Sequence, residues 1–132
     1  MISVSVYKQS NYPVSAKKVR AALRKLLEKE GIVSESEVSV AVVGRKKVTS
    51  LVQKYFTEPP NLASSHPVLS FPASETKKPF IYPPDGKIHL GEIVISYPQA
   101  VELAKKKGKL LDEVVCELAK HGALHLLGRH HE

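Results

Sequence analysis

Residues 88–127 read IHLGEIVISYPQAVELAKKKGKLLDEVVCELAKHGALHLL, and how this stretch is read decides the fold. Ile88 to Ser96, IHLGEIVIS, gives the strongest strand signal in the chain. Pro98 suits the first turn of a helix over about 98–107, and Gly108 stops it. From about Leu110 to Leu127 the apolar residues fall at helical spacing: Leu110, Leu111, Val114, Val115, Leu118, Ala119 and Leu124. That face is wide, so the last helix is expected to be central. His121 and His125 continue the Val114–Leu118 stripe, which predicts that both face the protein body or a cleft rather than bulk solvent.

Working back from this stretch, Val68-Leu-Ser-Phe-Pro72 predicts a short strand closed by proline. Residues 57–67 and 73–87 are rich in proline and read as irregular chain and a surface loop. Val48, Leu51, Val52 and Tyr55 predict a helix over about 45–55, after a strand through Val38, Val40 and Val42 that Gly44 ends. Ala16, Val19, Leu23, Leu26 and Leu27 form the stripe of a helix over about 15–30. Ile2, Val4 and Val6 alternate with serines in a first strand. The order β-α-β-α-β-β-α-α predicts one α+β domain over residues 1–132: a small mixed sheet of about four strands with helices packed on it.

The 132 residues carry 20 Lys+Arg against 13 Asp+Glu, a net charge of +7, which favours a polyanionic partner and nucleic acid over membrane. No apolar run is long enough to span a bilayer, and the N-terminus has no basic segment followed by a long apolar one, so neither a membrane span nor a secretory signal is expected. The one cysteine, Cys116, permits no disulfide within the chain and fits a reducing cytoplasm. It falls within the apolar helical pattern and reads as a small packing residue. Lys17 to Lys29 and Lys105 to Lys109 are candidate contacts to a nucleic-acid backbone, although each reads more readily as a solvated helix face than as a specific reader.

His121-Gly-Ala-Leu-His125-Leu-Leu-Gly128-Arg-His130-His131 carries the chemistry. Side chains at i and i+4 lie one turn apart on one helix face, so His121 and His125 project side by side. Gly128 permits the left-handed backbone that commonly ends a helix, and the chain can turn back to bring a third imidazole to the same point. Either His130 or His131 can reach it, and the spacing favours His131. Three imidazoles leave the fourth position of a tetrahedral Zn2+ open, the arrangement of a catalytic site. Imidazole also suits nickel, iron and copper, so zinc follows from ligand type alone. The His spacing equals that of metzincin peptidases, HExxHxxGxxH, but their general-base Glu is replaced by Gly122, which argues against a peptidase.

The histidine motif resembles that of the YbeY family, HGxLHLxGxDH. Pro67-Val-Leu-Ser-Phe-Pro72 is similar to the family's TDVLSFP segment, and Leu90-Gly-Glu-Ile-Val-Ile-Ser96 to its LGDIVIS strand. The resemblance runs from Ile2 to Glu132. It implies a zinc-dependent, single-strand-directed endoribonuclease of small-subunit ribosomal RNA maturation, acting in ribosome assembly and quality control. It implies His121, His125 and His131 as ligands of one zinc ion, and ribosomal RNA, the small subunit and ribosomal proteins as partners.

Departures from the family pattern are His130 for the Asp before the third ligand, His66-Pro67 for the Thr-Asp pair, and Phe56 for the Arg that follows the helical Tyr. The last motivates a second reading, a metal-containing RNA-binding assembly factor without catalysis. Candidate catalytic groups are Glu132, Glu92 and His130. Candidate RNA contacts are Lys54, Arg45, Lys46, Lys47 and Arg129, although a lysine does not reproduce the bidentate geometry of an Arg on phosphate.

Overall fold

A computed structural model describes residues 2–32, 35–55, 67–72 and 88–128. The described elements are β1 (Ile2–Lys8), α1 (Ala16–Lys29), β2 (Ser36–Val43), α2 (Arg45–Tyr55), β3 (Val68–Pro72), β4 (Ile88–Ser96), α3 (Tyr97–Lys107) and α4 (Leu111–Leu126). The expected α+β class holds, with a sheet of four strands in the order β1-β2-β4-β3. β1, β2 and β4 run parallel, and β3 pairs antiparallel with β4, so the sheet is mixed. Of the stretch read as irregular at 57–67, residues 57–66 lie outside the described residues, as does the loop read at 73–87.

Strand alternation divides the core in two. Ile2, Val4, Val38, Val40, Val42, Ile93 and Ile95 point to one face and pack with Val19, Leu23 and Leu27 of α1 and with Val114, Val115, Ala119 and Ala123 of α4. Val43, Leu69 and Val94 point to the other face, beneath Val48 and Val52 of α2. Full burial of each Val, Leu or Ile among them contributes about 1.5–3 kcal/mol. This two-sided burial explains why Ile93-Val-Ile95 reads as an uninterrupted apolar run rather than an alternating one.

Local chemistry sets the helix ends. The Ser15 hydroxyl accepts from Lys18 N at 3.2 Å, and Ser96 does the same for Gln99 N at 3.4 Å with Pro98 inside the first turn. Asp112, in the first turn of α4, accepts from Ser15 N at 2.9 Å and so ties the starts of α1 and α4 together.

The β2–β4 ladder carries a bulge. Glu37 pairs with His89 and Val38 with Gly91, which leaves Leu90 as the extra residue. Gly91 takes φ +137°, and a Cβ there would meet the carbonyl oxygen of Phe71 at 2.3 Å and Leu126 Cδ2 at 2.9 Å. Only glycine fits this place, because both the backbone angle and the space exclude a side chain.

Candidate functional site: a histidine pair on the sheet-packed helix

α4 lies against β3 and β4 through the turn that bears the histidines. Gly122 meets the sheet: a Cβ on it would sit 2.7 Å from Ile93 Cγ2 and 3.1 Å from Ser70 Oγ. The Ser70 hydroxyl donates to the Gly122 carbonyl at 3.0 Å. Ser70 and Ile93 are partners across the β3–β4 ladder, so Gly122 nests over one cross-strand pair. One turn further on, Leu126 packs over Gly91, whose ladder partner is Pro72. The three sequence segments VLSFP, LGEIVIS and HGALHLL therefore meet at a single place.

Helix geometry then brings the two imidazoles together. The Nε2 atoms of His121 and His125 stand 3.0 Å apart, with ring centroids 4.5 Å apart and ring planes inclined by 64°. Two nitrogens on one tetrahedral zinc at about 2.0–2.1 Å from the ion are roughly 3.3 Å apart, so this donor pair fits a shared zinc with little adjustment. His125 is half-buried, but His121 is exposed. The expectation that both face the body therefore holds for His125 alone. The physical reason is angular: α4 buries Val114, Val115, Ala119, Gly122 and Ala123, and His121 lies at the rim of that stripe, about 100° around the helix from Gly122 and just beyond Val114.

Gly128 adopts φ +76°, the left-handed conformation expected after the last turn. His131, the expected third ligand, lies outside the described residues, as do Arg129, His130, Glu132 and Phe56. Among the described residues no third His, Cys, Asp or Glu completes a metal-binding cluster.

The remaining candidates are not brought to the pair. Glu92 is the strand neighbour of Ile93 and projects from the opposite face, where it lines a shallow cleft with Ser5, Tyr7 and Ser39. Arg45, Lys46, Lys47 and Lys54 are exposed on α2, which also covers that opposite face. Sequence reasoning missed Ser70 as a contact of the histidine turn. Its place inside the LSFP segment was visible, but its partner lies 52 residues away.

Cys116 is half-buried on α4. Burial, aided by Asp112, pushes its thiol pKa up, which suits a packing role. No described helix is long and apolar enough to cross a membrane.

The fold and the paired imidazoles define a small α+β domain whose C-terminal helix presents an HxxxH pair beside its sheet. The family model described as endoribonuclease YbeY matches residues 5–132. Endoribonuclease YbeY of Dehalococcoides mccartyi is 34% identical over 123 residues, covering 90% of this chain and 72% of the relative. That of Thermus thermophilus is 36% identical over 115 residues, covering 87% and 76%. That of Roseiflexus castenholzii is 31% identical over 132 residues, covering 100% and 80%. The solution structure of TM1509 from Thermotoga maritima shares the fold, with TM-score 0.55 at 23% identity, over all of this chain and 75% of that one. The chain belongs to the endoribonuclease YbeY family.

Proposed function

We propose that this protein is a zinc-dependent endoribonuclease directed at single-stranded RNA, acting in small-subunit ribosomal RNA processing and in ribosome assembly and quality control in the cytoplasm. The observation that carries the reading is the His121–His125 pair, 3.0 Å apart at Nε2, in a chain of this family. His121, His125 and His131 would hold one zinc ion. A zinc ion held there would supply Lewis acidity toward a phosphoryl oxygen and would make a water molecule more acidic. The chain's own part is to orient the imidazoles, through the α4 backbone seated on Ile93 and Ser70, and to hold RNA by charge. Arg45, Lys46, Lys47, Lys54 and Arg129 are the proposed backbone contacts. Glu132 and His130 remain the candidates for proton transfer. Glu92 is not, since it projects from the far face of the sheet.

Cleavage of single-stranded RNA by the wild type and by His125→Ala, with metal content measured on the same samples, tests the proposal. The variant is expected to lose both cleavage and bound zinc. Equal cleavage by the two, once contaminating nuclease is excluded, would sink it.

Phe56 favours a second reading, a metal-containing assembly factor that binds RNA without cutting it. On that reading RNA binding is salt-sensitive and survives loss of the histidines, while the wild type cuts nothing. A peptidase finds less support, because position 122, beside the first histidine, is glycine and its seat against Ile93 and Ser70 leaves no room for the side chain of a general base.

A further inference from the structure

We infer that Ser70 is a positioning residue for the histidine pair, acting through the backbone of α4 to set the helix roll and so where His121 and His125 stand over the sheet. The inference rests on the zinc reading above for its consequence, but its geometry is independent of it. Two contacts converge on the residue between the histidines. The Ser70 hydroxyl holds the Gly122 carbonyl at 3.0 Å, and Ile93, the cross-strand partner of Ser70, leaves no space for a Cβ at 122. The first contact is a directional tether and the second a steric stop. Together they restrict both the depth of the helix and its rotation about its axis at the turn that carries the ligands.

A helix free to roll moves both imidazoles together over the sheet. One pinned at the intervening carbonyl cannot. The requirement is for a hydroxyl rather than for bulk, because an alanine at position 70 keeps the strand and loses only the tether. Partners that orient metal ligands typically account for 10–100-fold in metal affinity. A tether acting one residue away along the backbone belongs at the lower end of that range. VLSFP is then more than a strand: its serine links the edge of the sheet to the histidine turn.

The test uses the full chain as wild type, Ser70→Ala, Ser70→Thr, His125→Ala and Val52→Ala. Val52 of α2 is fully buried against the other face of the sheet, so its truncation lowers stability without touching the histidine turn. Zinc affinity is measured by competition with a chromophoric chelator, and ligand geometry by the visible spectrum of the Co2+ form. Ser70→Ala is expected to bind zinc about tenfold more weakly and to alter the cobalt bands. Ser70→Thr should remain near wild type, and Val52→Ala should keep wild-type affinity despite its lower Tm. An unchanged Ser70→Ala, or an equal loss in Val52→Ala, overturns the inference. Failure of the wild type to take up zinc sinks the zinc reading instead. In that event the ring-proton NMR signals of His121 and His125 in the metal-free protein decide the positioning role: they shift in Ser70→Ala and not in Val52→Ala, or the role is refuted.

Discussion

Gly122→Ala isolates the packing that seats the histidine turn. In an exposed helix this change would stabilise by about 0.8–1.0 kcal/mol, because alanine is the better helix former. Here the added methyl would stand 2.7 Å from Ile93 Cγ2, 3.3 Å from Ile93 Cγ1 and 3.1 Å from Ser70 Oγ. Carbon atoms rest at roughly 3.5–4.0 Å, so the overlap with Cγ2 is about an ångström. Ile93 is fully buried in a central strand and is stiff at χ1, so it cannot swing aside. Overpacking of this kind costs about 1–3 kcal/mol, and so close a contact belongs near the top of that range. Subtracting the propensity gain leaves a net loss of about 2 kcal/mol. For a chain of this size that is a fall in Tm of roughly 4–8 °C. In urea, with m of about 1–3 kcal/mol per molar, it is a midpoint shift of about 1 M. Thermal and urea melts by circular dichroism measure both. A variant as stable as the wild type, or more so, would refute the reasoning. In an Ile93→Ala background the clash largely disappears, and the same substitution should cost little or even stabilise.

Gly91→Ala should be worse, since φ +137° adds backbone strain to a 2.3 Å approach to the Phe71 carbonyl oxygen. Loss of the folded fraction, or a Tm drop larger than that of Gly122→Ala, is the expected result in the same melts. Cys116 gives a pH-dependent prediction. Its thiol pKa is raised by burial and then by Asp112, so the folded state favours the protonated form. The stability this contributes is full below the pKa of the unfolded thiol and is lost as pH rises through the folded one. Alkylation by iodoacetamide on the mildly alkaline side should thus be slower in the native protein than in urea, and Cys116→Ala should flatten the alkaline fall in stability. Equal alkylation rates in the two states would contradict it.

Much of the fold was legible because its signals are local. The alternation of Ile2, Val4 and Val6, the helical spacing of Val19, Leu23 and Leu27, and the glycine stop at 108 each depend on residues within one or two turns of chain. The predicted helix at about 45–55 and strand at 88–96 correspond closely to α2 and β4 for that reason. The histidine pair was legible on the same grounds, since an i,i+4 relation is a property of the helix itself. Its exposure was not. Whether His121 lies on the buried stripe depends on which side of α4 the sheet occupies, and Gly122 rather than His121 marks that side.

The sequence by itself determined which segments become strands and helices, that two imidazoles stand one turn apart, and which family's motifs the chain carries. Only the tertiary structure decided that β3 returns antiparallel at the sheet edge, that Glu92 projects away from the histidines, and that Ser70, Ile93 and Gly122 form one contact. Strand alternation states that residues 92 and 93 face opposite ways, but not which face receives α4. That choice is made when the apolar surface of the whole domain is buried at once. A hydrogen bond between residues 52 positions apart has no local signal that could announce it.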